Sequence, residues 1–316
     1  MHKAGYVNII GLPNVGKSTL MNALVGERLS IITSKAQTTR HRILGIVNGK
    51  DFQIVFSDTP GFVRKQSYKM HESMNQFVMG SLEDADIVLF VTDPYYKIED
   101  QEELINKVVY IKTPVLLLIN KIDQMSPESL SALLEIWAKI LPKAKLMPIS
   151  AQEKAGIEGL FKHIIELLPE SPPYFPKDSL TDRPERFFVS EIIREKIFEG
   201  YKQEIPYSTE VGIESYTEDD DITLIRALIY VMRESQKNIL IGKGGQAIKK
   251  VGIEARKDIE AFLQQKVYLE LFVKVKDNWR DDDGMLRRFG YQAWLESQSK
   301  ALHLAKFSDE GAATYW

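Results

Sequence analysis

The chain has 316 residues, a net charge of −3, and 44% hydrophobic and 27% charged residues. This length predicts about two domains, each with a core of its own. There is no cysteine, and the five histidines have no metal-ligand spacing, so the sequence predicts no disulfide or zinc partners. Because the net charge is close to zero, any nucleic-acid partner has to be argued from local charge.

The sequence carries no targeting or membrane-spanning signal. Its first apolar run, residues 6–10, begins so early that no signal peptide fits before it. No apolar run approaches the roughly 20 residues that span a bilayer. We therefore expect a soluble protein of the cytoplasm.

A phosphate-binding loop is predicted at residues 11–18. The stretch reads GLPNVGKS and matches G-x-x-x-x-G-K-[ST] at every fixed position, between a strand-like run and a helix-like stretch. Gly11 and Gly16 allow backbone N–H groups to point into one concavity. Lys17 would reach the β- and γ-phosphates, and the Ser18 hydroxyl would ligate Mg²⁺.

Strand-like and helix-like stretches alternate from residue 5 to about residue 169. The runs at 87–91 and 115–119 are apolar throughout, as is typical of parallel strands buried on both faces. We predict an α/β domain over residues 1–170 with a doubly wound, mostly parallel sheet. The predicted strands are 7–10, 52–56, 87–91, 115–119 and 145–148, and the later predicted helices are 69–82, 101–109, 129–141 and 157–168.

Three further motifs lie where predicted strands end: DTPG at 58–61, NKID at 120–123, and Ser150-Ala151. Asp58 would hold Mg²⁺, and the Gly61 N–H would sense the γ-phosphate. The carboxylate of Asp123 can accept hydrogen bonds from N1–H and the 2-amino group of guanine. Adenine offers neither donor, which costs on the order of 10³-fold in affinity.

The other residues of these motifs would complete the base site. Asn120 would contact the base edge and orient its loop, the stem of Lys121 would cover the base, and the Ala151 N–H would meet the guanine oxygen. Between the phosphate loop and DTPG lies a polar segment, residues 34–41, whose threonine would reach Mg²⁺ in the triphosphate state. By spacing alone, Thr38 and Thr39 are both candidates.

Together, GLPNVGKS, KAQTTRH, DTPGF and NKID resemble the Era branch of the translation-factor-class GTPases. The resemblance favours Thr39 as the Mg²⁺ ligand. It also places hydrophobic Phe62 where signalling GTPases carry the glutamine that orients water. Asn14 matches an asparagine that ligates potassium in relatives, although an asparagine in a glycine loop also caps turns. The implied cofactors are GTP/GDP, Mg²⁺ and, through Asn14, K⁺.

These observations give three sets of candidate residues. The catalytic candidates are Asn14, Lys17, Thr39 and Gly61. The metal candidates are Ser18, Thr39 and Asp58. The nucleotide-binding candidates are Gly11, Asn14, Val15, Gly16, Lys17, Ser18, Thr19, Asp58, Gly61, Asn120, Lys121, Asp123, Ser150 and Ala151.

A proline-rich stretch, residues 169–176, predicts a semi-rigid linker at 171–183. The following region, 184–291, predicts a helix at 184–201, strands at 211–216 and 222–234, and a further helix. The sequence IGKGG at 241–245, a helix at 246–264 and a strand at 267–275 come next. This order with I-G-x-x-G resembles an α+β KH domain of type II, whose loop clamps single-stranded RNA.

Local charge supports an RNA-binding role for this region. Residues 237–257 carry six basic side chains and one acid. Ile239, Ile241 and Ile248 would line a groove for bases. The RNA-binding candidates are Ile241, Gly242, Lys243, Gly244, Gly245, Lys249, Lys250 and Arg256. The competing interpretation is a helix with a solvated basic face that docks protein.

The resemblance covers residues 5–291. It implies GTP hydrolysis coupled to binding of the 3′-end region of small-subunit ribosomal RNA during small ribosomal subunit maturation, and peripheral association with the inner face of the cell membrane. One alternative is a GTPase whose C-terminal domain docks protein or membrane partners. Another is an RNA-binding scaffold in which the nucleotide is structural. The tail, residues 292–316, carries no recognised motif, and no role is assigned to it.

Overall fold

The computed structural model describes residues 1–291, so the tail at 292–316 lies outside the described residues. Within 1–291 there are two separate sheets, one of six strands and one of three. Across the same range, no helix combines the length and the apolar character needed to cross a membrane.

The six-stranded sheet has the order β2-β3-β1-β4-β5-β6. All neighbouring strands are parallel except β2 and β3, which confirms the prediction of a mostly parallel sheet. Its strands are β1 (Lys3–Gly11), β2 (Ile43–Asn48), β3 (Phe52–Asp58), β4 (Ile87–Thr92), β5 (Val115–Ile119) and β6 (Lys145–Pro148). Its helices are α1 (Lys17–Val25), α2 (Lys69–Glu83), α3 (Glu102–Val109), α4 (Pro127–Ile140) and α5 (Ile157–Leu167).

Strand β2 was not predicted from the sequence. It is an antiparallel edge strand that pairs only with β3, and its side chains are partly exposed. Its Gly45 packs so closely on α1 that a Cβ there would lie 2.5 Å from Met21 Cε. Its sequence ILGIVN has no polar residue over the first five positions, but Gly45 interrupts the apolar side chains, and a glycine inside a short strand weakens the strand signal.

The proline-rich linker is fastened to this edge of the sheet. The Ile46 N–H donates to the Leu180 carbonyl (2.8 Å), and the Thr181 hydroxyl donates to the Leu44 carbonyl (2.7 Å). Earlier in the linker, the Phe175 carbonyl accepts a hydrogen bond from the Gln53 side-chain amide of β3 (2.8 Å). The linker thereby covers backbone groups that an exposed edge strand would leave unpaired.

The second sheet has the order β7-β8-β9, with β7 and β8 antiparallel and β8 and β9 parallel. Alternate residues of β8, including Ile225, Ala227 and Ile229, are buried against the helices. The elements are α6 (Glu185–Gly200), α7 (Ile205–Ser208), β7 (Glu210–Glu218), β8 (Ile222–Val231), α8 (Glu234–Ile241), α9 (Gln246–Leu263), β9 (Lys266–Val275) and α10 (Asp283–Arg288).

The predicted element order of this second region is confirmed, with three differences. Strand β8 ends at Val231, not at residue 234, because α8 begins at Glu234. The short helices α7 and α10 were not predicted. Four or six residues are too few to establish a helical repeat in a sequence.

Buried charges join the two sheet regions. Arg40, from the segment before β2, lies 3.0 Å from Glu210 of β7, and both side chains are almost wholly buried. Arg40 also donates to the carbonyls of Thr209 (2.7 Å) and Pro206 (2.9 Å), and the Tyr291 hydroxyl donates to Glu210 (2.5 Å). Burial alone would raise the pKa of Glu210, but the guanidinium groups of Arg40 and Arg194 outweigh it and lower this pKa.

His41 lies at the same junction, against the rings of Phe77, Phe187 and Tyr291. Burial lowers its pKa to about 3, and the nearby arginines act in the same direction while Glu210 opposes them. The imidazole is therefore neutral in the folded chain.

We expect Arg40→Ala to lower the free energy of unfolding by about 3 to 5 kcal/mol, because it leaves Glu210 charged, buried and without its main partner. The measurement is urea unfolding followed by circular dichroism. Arg64→Ala is the control, since Arg64 and Asp100 form an exposed pair whose loss should cost less than about 1 kcal/mol. Equal effects of the two substitutions would contradict this account of the junction.

His41 should make the fold sensitive to mild acid. Its pKa is lower in the folded chain than the value of about 6.5 in the unfolded chain, so its contribution to stability is complete above about pH 6.5 and declines below it. At about pH 5.5 the expected loss is about 1.4 kcal/mol. His41→Phe should abolish this loss, which urea titrations between about pH 7.5 and 5.5 would measure. An unchanged pH dependence in the variant would exclude His41 as its source.

Candidate nucleotide and nucleic-acid sites

The loop at residues 11–18 connects β1 to α1 at the carboxyl edge of the six-stranded sheet. Gly16 caps α1 with a left-handed φ of 95°, and a Cβ there would lie 2.2 Å from the Asn120 side chain. Only glycine fits this combination of backbone angle and close approach. The N-terminus of α1 therefore opens into a cavity of about 280 Å³, which is lined by the loop, residues 31–34 and 37–39, Gly61 and Lys121.

Lys17 is a buried cation in this cavity wall. Its ammonium group donates to the Leu12 carbonyl (2.8 Å), and burial lowers its pKa to about 8 against the opposing charge of Asp58. A cation that loses solvation in this way gains from an anion placed beside it. Lys17 is thus suited to the phosphates of a nucleotide.

Three oxygen-bearing side chains converge beside Lys17. The Ser18 hydroxyl lies 2.7 Å from Asp58 Oδ2 and 2.8 Å from Thr39 Oγ1. Asp58 is fully buried, its Oδ1 has no hydrogen-bond partner, and burial raises its pKa while Lys17 and Ser18 oppose the shift. A buried carboxylate with an unused oxygen beside two hydroxyls is a donor set that Mg²⁺ accepts. The residues present therefore fit Mg²⁺.

The two candidate threonines occupy different environments. Thr39 faces Ser18 and Asp58, whereas the Thr38 hydroxyl hydrogen-bonds with the Thr33 hydroxyl (2.6 Å) and donates to the Lys35 carbonyl (2.7 Å). The geometry therefore favours the threonine that the family resemblance also favours.

The DTPG turn lies directly against the phosphate loop. A Cβ at Gly61 would come within 2.6 Å of Pro13 Cα, and the Phe62 N–H donates to the Gly11 carbonyl (3.2 Å). The Phe62 side chain is buried in the core cluster. It has no polar group with which to orient water, so the nucleophile must be positioned by other groups.

Asn120 ties the phosphate loop to the last loop of the domain. Its amide donates to the Val15 carbonyl (2.8 Å), and its oxygen accepts from the Ala151 N–H (2.9 Å). The sequence predicts that this N–H meets the guanine oxygen. In the structure it is already engaged, so it would have to be shared or exchanged when a base binds.

Asp123 projects into solvent at the same edge. A hydrogen bond from Ser150 lowers its pKa, so the carboxylate is ionised and able to accept hydrogen bonds from a base. Thr19, the last residue predicted in the phosphate loop, lines the cavity.

Lys121 is held by a residue that the sequence reasoning missed. Its ammonium group lies 2.6 Å from Asp93 Oδ2 and 2.7 Å from the Asn14 carbonyl, and 5.3 Å from the centre of the Tyr95 ring. Asp93 directly follows β4, so its position after an apolar strand was the available signal. Asn14 itself has a left-handed φ of 62° and donates to the Ser34 carbonyl (3.1 Å).

The glycine loop of the second region joins α8 to α9. Gly242 (φ 71°, ψ 174°), Gly244 (φ 60°) and Gly245 (φ 77°) all have positive φ. A Cβ at Gly244 or Gly245 would meet nothing within 4 Å, and Lys243 is exposed. The loop is therefore open to close approach by a ligand.

Beside this loop, α9 and β9 border an open groove of about 330 Å³ that combines an apolar floor with a basic rim. It is lined by Ile248, Lys249, Gly252, Ile253, Arg256, Leu269 and Leu271. Lys250 does not line it and lies 3.8 Å from Glu254. Ile239 and Ile241, which belong to α8, also lie outside this lining, so the prediction that they line the groove is not confirmed. Ile253, Leu269 and Leu271 were missed, although helical spacing from Lys249 indicates the first.

Comparisons with known proteins agree with both the phosphate-loop site of the first domain and the glycine-loop site of the second. Residues 6–121 match the family described as 50S ribosome-binding GTPase, and residues 204–280 match the KH domain family. A "GTPase ERA-like, chloroplastic" protein from Oryza sativa subsp. japonica is 46% identical over 300 residues, which cover 94% of this chain and 71% of the rice protein. GTPase Era from Alkaliphilus metalliredigens is 45% identical over 92% of this chain and 99% of its own length.

Solved structures give the same result. Era in complex with MgGDPNP and nucleotides 1506–1542 of 16S ribosomal RNA superposes with a TM-score of 0.88 at 41% identity, over 92% of this chain and 99% of that one. An Aquifex aeolicus Era variant bound to GDP·AlF4⁻ has the same TM-score, identity and coverage. From the sequence identity over almost the whole described length and the order of the two domain matches, the chain belongs to the Era family of GTPases.

Proposed function

We propose that this GTPase is a nucleotide-controlled switch that binds the 3′-end region of small-subunit ribosomal RNA. The observation that carries the proposal is the groove between α9 and β9, which lies beside an open glycine loop and has Lys249 and Arg256 on its rim. A GTPase domain alone does not need such a groove. An Era relative of the same architecture was solved with 16S ribosomal RNA.

In the first domain, the N–H groups of residues 14–19 and the dipole of α1 would surround the phosphates. Lys17 would pair with them, and Ser18, Asp58 and Thr39 would hold Mg²⁺. A Mg²⁺ held by these residues would supply charge neutralisation on the phosphates during transfer. Gly61 packs against Pro13 of the phosphate loop, and its N–H would sense the γ-phosphate. With a buried phenylalanine at position 62, we expect slow turnover in the absence of RNA.

In the second domain, the glycine loop would clamp the RNA backbone and the apolar floor would receive splayed bases. Lys243, Lys249 and Arg256 would meet phosphates. We place this activity in the cytoplasm during assembly of the small ribosomal subunit. Potassium binding at Asn14 and peripheral membrane association stay predictions.

Asp123 should determine base preference. We expect Asp123→Ala to weaken GDP binding by on the order of 10² to 10³-fold, because two hydrogen bonds to guanine lose their acceptor. Asp123→Asn should gain affinity for xanthosine diphosphate, since its amide donates where the carboxylate accepts. Isothermal titration of each variant with GDP, ADP and xanthosine diphosphate measures this. The control is Glu128→Ala, which removes another exposed acid; similar GDP affinity in Asp123→Ala and this control would reject the role.

Substitution of Lys249 and of Lys250, which are adjacent in α9, distinguishes RNA binding in the groove from nonspecific electrostatic attraction of RNA. We expect Lys249→Ala to weaken binding of single-stranded RNA from the 3′ end of the cognate small-subunit RNA about fivefold, and to reduce the salt dependence. Lys250→Ala removes the same charge outside the groove and should have a clearly smaller effect. Fluorescence anisotropy at two salt concentrations, with GTP analogue and with GDP, provides the measurement.

RNA affinity should differ between the two nucleotide states, and RNA must then change nucleotide affinity by the same factor. Nucleotide binding without RNA affinity in either state would instead favour a protein- or membrane-docking role for the second domain. If the Lys17→Ala variant keeps its RNA affinity and cellular function, the result would favour the alternative of an RNA-binding scaffold in which the nucleotide is structural.

A further inference from the structure

The switch segment, residues 28–42, contains Thr39 and lies against helix α6 of the second domain. Glu195 of α6 is buried and accepts hydrogen bonds from the Arg28 side chain (2.6 Å) and the Ile32 N–H (3.1 Å). The Lys35 ammonium group donates to the Tyr201 carbonyl (2.6 Å) and to that of Phe198 at the end of α6. The segment is thus held at several points by a helix distant in sequence.

One of these contacts lies next to the candidate metal ligand. Arg194 is completely buried, and its Nη2 donates to the Thr38 carbonyl (2.6 Å). The Thr38 carbonyl and the Thr39 N–H belong to one planar peptide unit. A hydrogen bond that fixes this carbonyl therefore also restrains the backbone position of Thr39. The Thr39 hydroxyl then lies beside Ser18 and Asp58.

The guanidinium group is itself held rigidly. Arg194 Nε donates to Glu191 Oε1 (2.9 Å), and its Nη2 also pairs with Glu191 Oε2. The planar fork leaves little freedom for the Thr38 contact. A lysine ammonium group would not reproduce this geometry.

We propose that Arg194, a residue of the RNA-binding domain, is a positioning residue for GTP binding and hydrolysis. Acting through the Thr38 carbonyl, it holds Thr39 where Mg²⁺ and the γ-phosphate require it. This inference rests on the proposed function. Movement of α6 relative to the first domain would release this contact, which is the one of its several contacts with the switch segment that lies next to Thr39.

If Arg194 positions Thr39, loss of Arg194 should impair the binding of one nucleotide state and not the other. Threonines of such segments serve the triphosphate state, so loss of the Arg194 contact should weaken binding of a GTP analogue and spare GDP. A merely structural loss at the junction would weaken both nucleotides alike.

Substitution of Arg194 alone would leave Glu191 buried and unpaired, which endangers folding. The test variant is therefore Glu191→Gln combined with Arg194→Met, which removes both charges together. Lys196→Ala is the matched control, because Lys196 is on the same helix but pairs with Glu199 and Asp258 of the second domain. Thr39→Ala provides the reference for loss of the hydroxyl itself.

The test is isothermal titration of the full chain with MgGDPNP and with GDP. Circular dichroism first checks that each variant is folded. We expect the double variant to bind MgGDPNP about tenfold more weakly and GDP within about twofold of wild type. Adding Thr39→Ala to the double variant should cost little more, because both changes act on the same function of the Thr39 hydroxyl. The control should match wild type.

Unchanged MgGDPNP binding by the folded double variant would overturn the role of Arg194, and so would equal weakening of both nucleotides. An additive effect of Thr39→Ala would overturn it too. Each of these outcomes leaves the proposed function standing when wild type binds MgGDPNP and RNA. Failure of wild type to bind MgGDPNP would overturn the proposed function, and this role with it.

Discussion

The arrangement of the two domains depends on buried charges that must be paired. Taking a guanidinium group or a carboxylate out of water costs several kcal/mol unless a partner replaces the lost solvation. Arg40 meets Glu210 across the junction, and Arg194 meets Glu191 and the Thr38 carbonyl. Because a small rotation between the domains would separate Arg40 from Glu210 and Arg194 from the Thr38 carbonyl, these two contacts favour one relative orientation. That orientation places α6 against the segment that carries Thr39.

The nucleotide site could largely be predicted because its residues are local to strand ends. Parallel strands that end at one sheet edge bring together loops far apart in sequence, so motifs after β1, β3 and β5 predict a single site. The sequence left two threonines as candidate metal ligands, and the orientation of their side chains in the structure distinguishes them. Thr38 and Thr39 are adjacent, and only the folded backbone shows which hydroxyl lies beside Asp58. Asp93 has no motif of its own and is recognised by its contact with Lys121.

In the second domain, the sequence predicted the elements better than the contacts. Net positive charge identified the right helix, but the turn of that helix separates Lys249, on the groove, from Lys250, which lies near Glu254. Part of the apolar floor comes from Leu269 and Leu271 of β9, whose position depends on strand pairing with β8. The contacts of α6 with residues 28–42 leave no local pattern at all, because their partners lie more than 150 residues apart in the chain.

The fastened linker limits how the two domains can separate. Residues up to Thr181 are bound to the edge of the first sheet, and α6 begins at Glu185. The few residues between them span at most roughly 14 Å, so the second domain is tethered closely. Such a tether keeps its local concentration high, and weak contacts at the switch segment suffice to hold it there. A wider excursion would require the linker to peel away from β2, which would expose an unpaired strand edge to neighbouring chains.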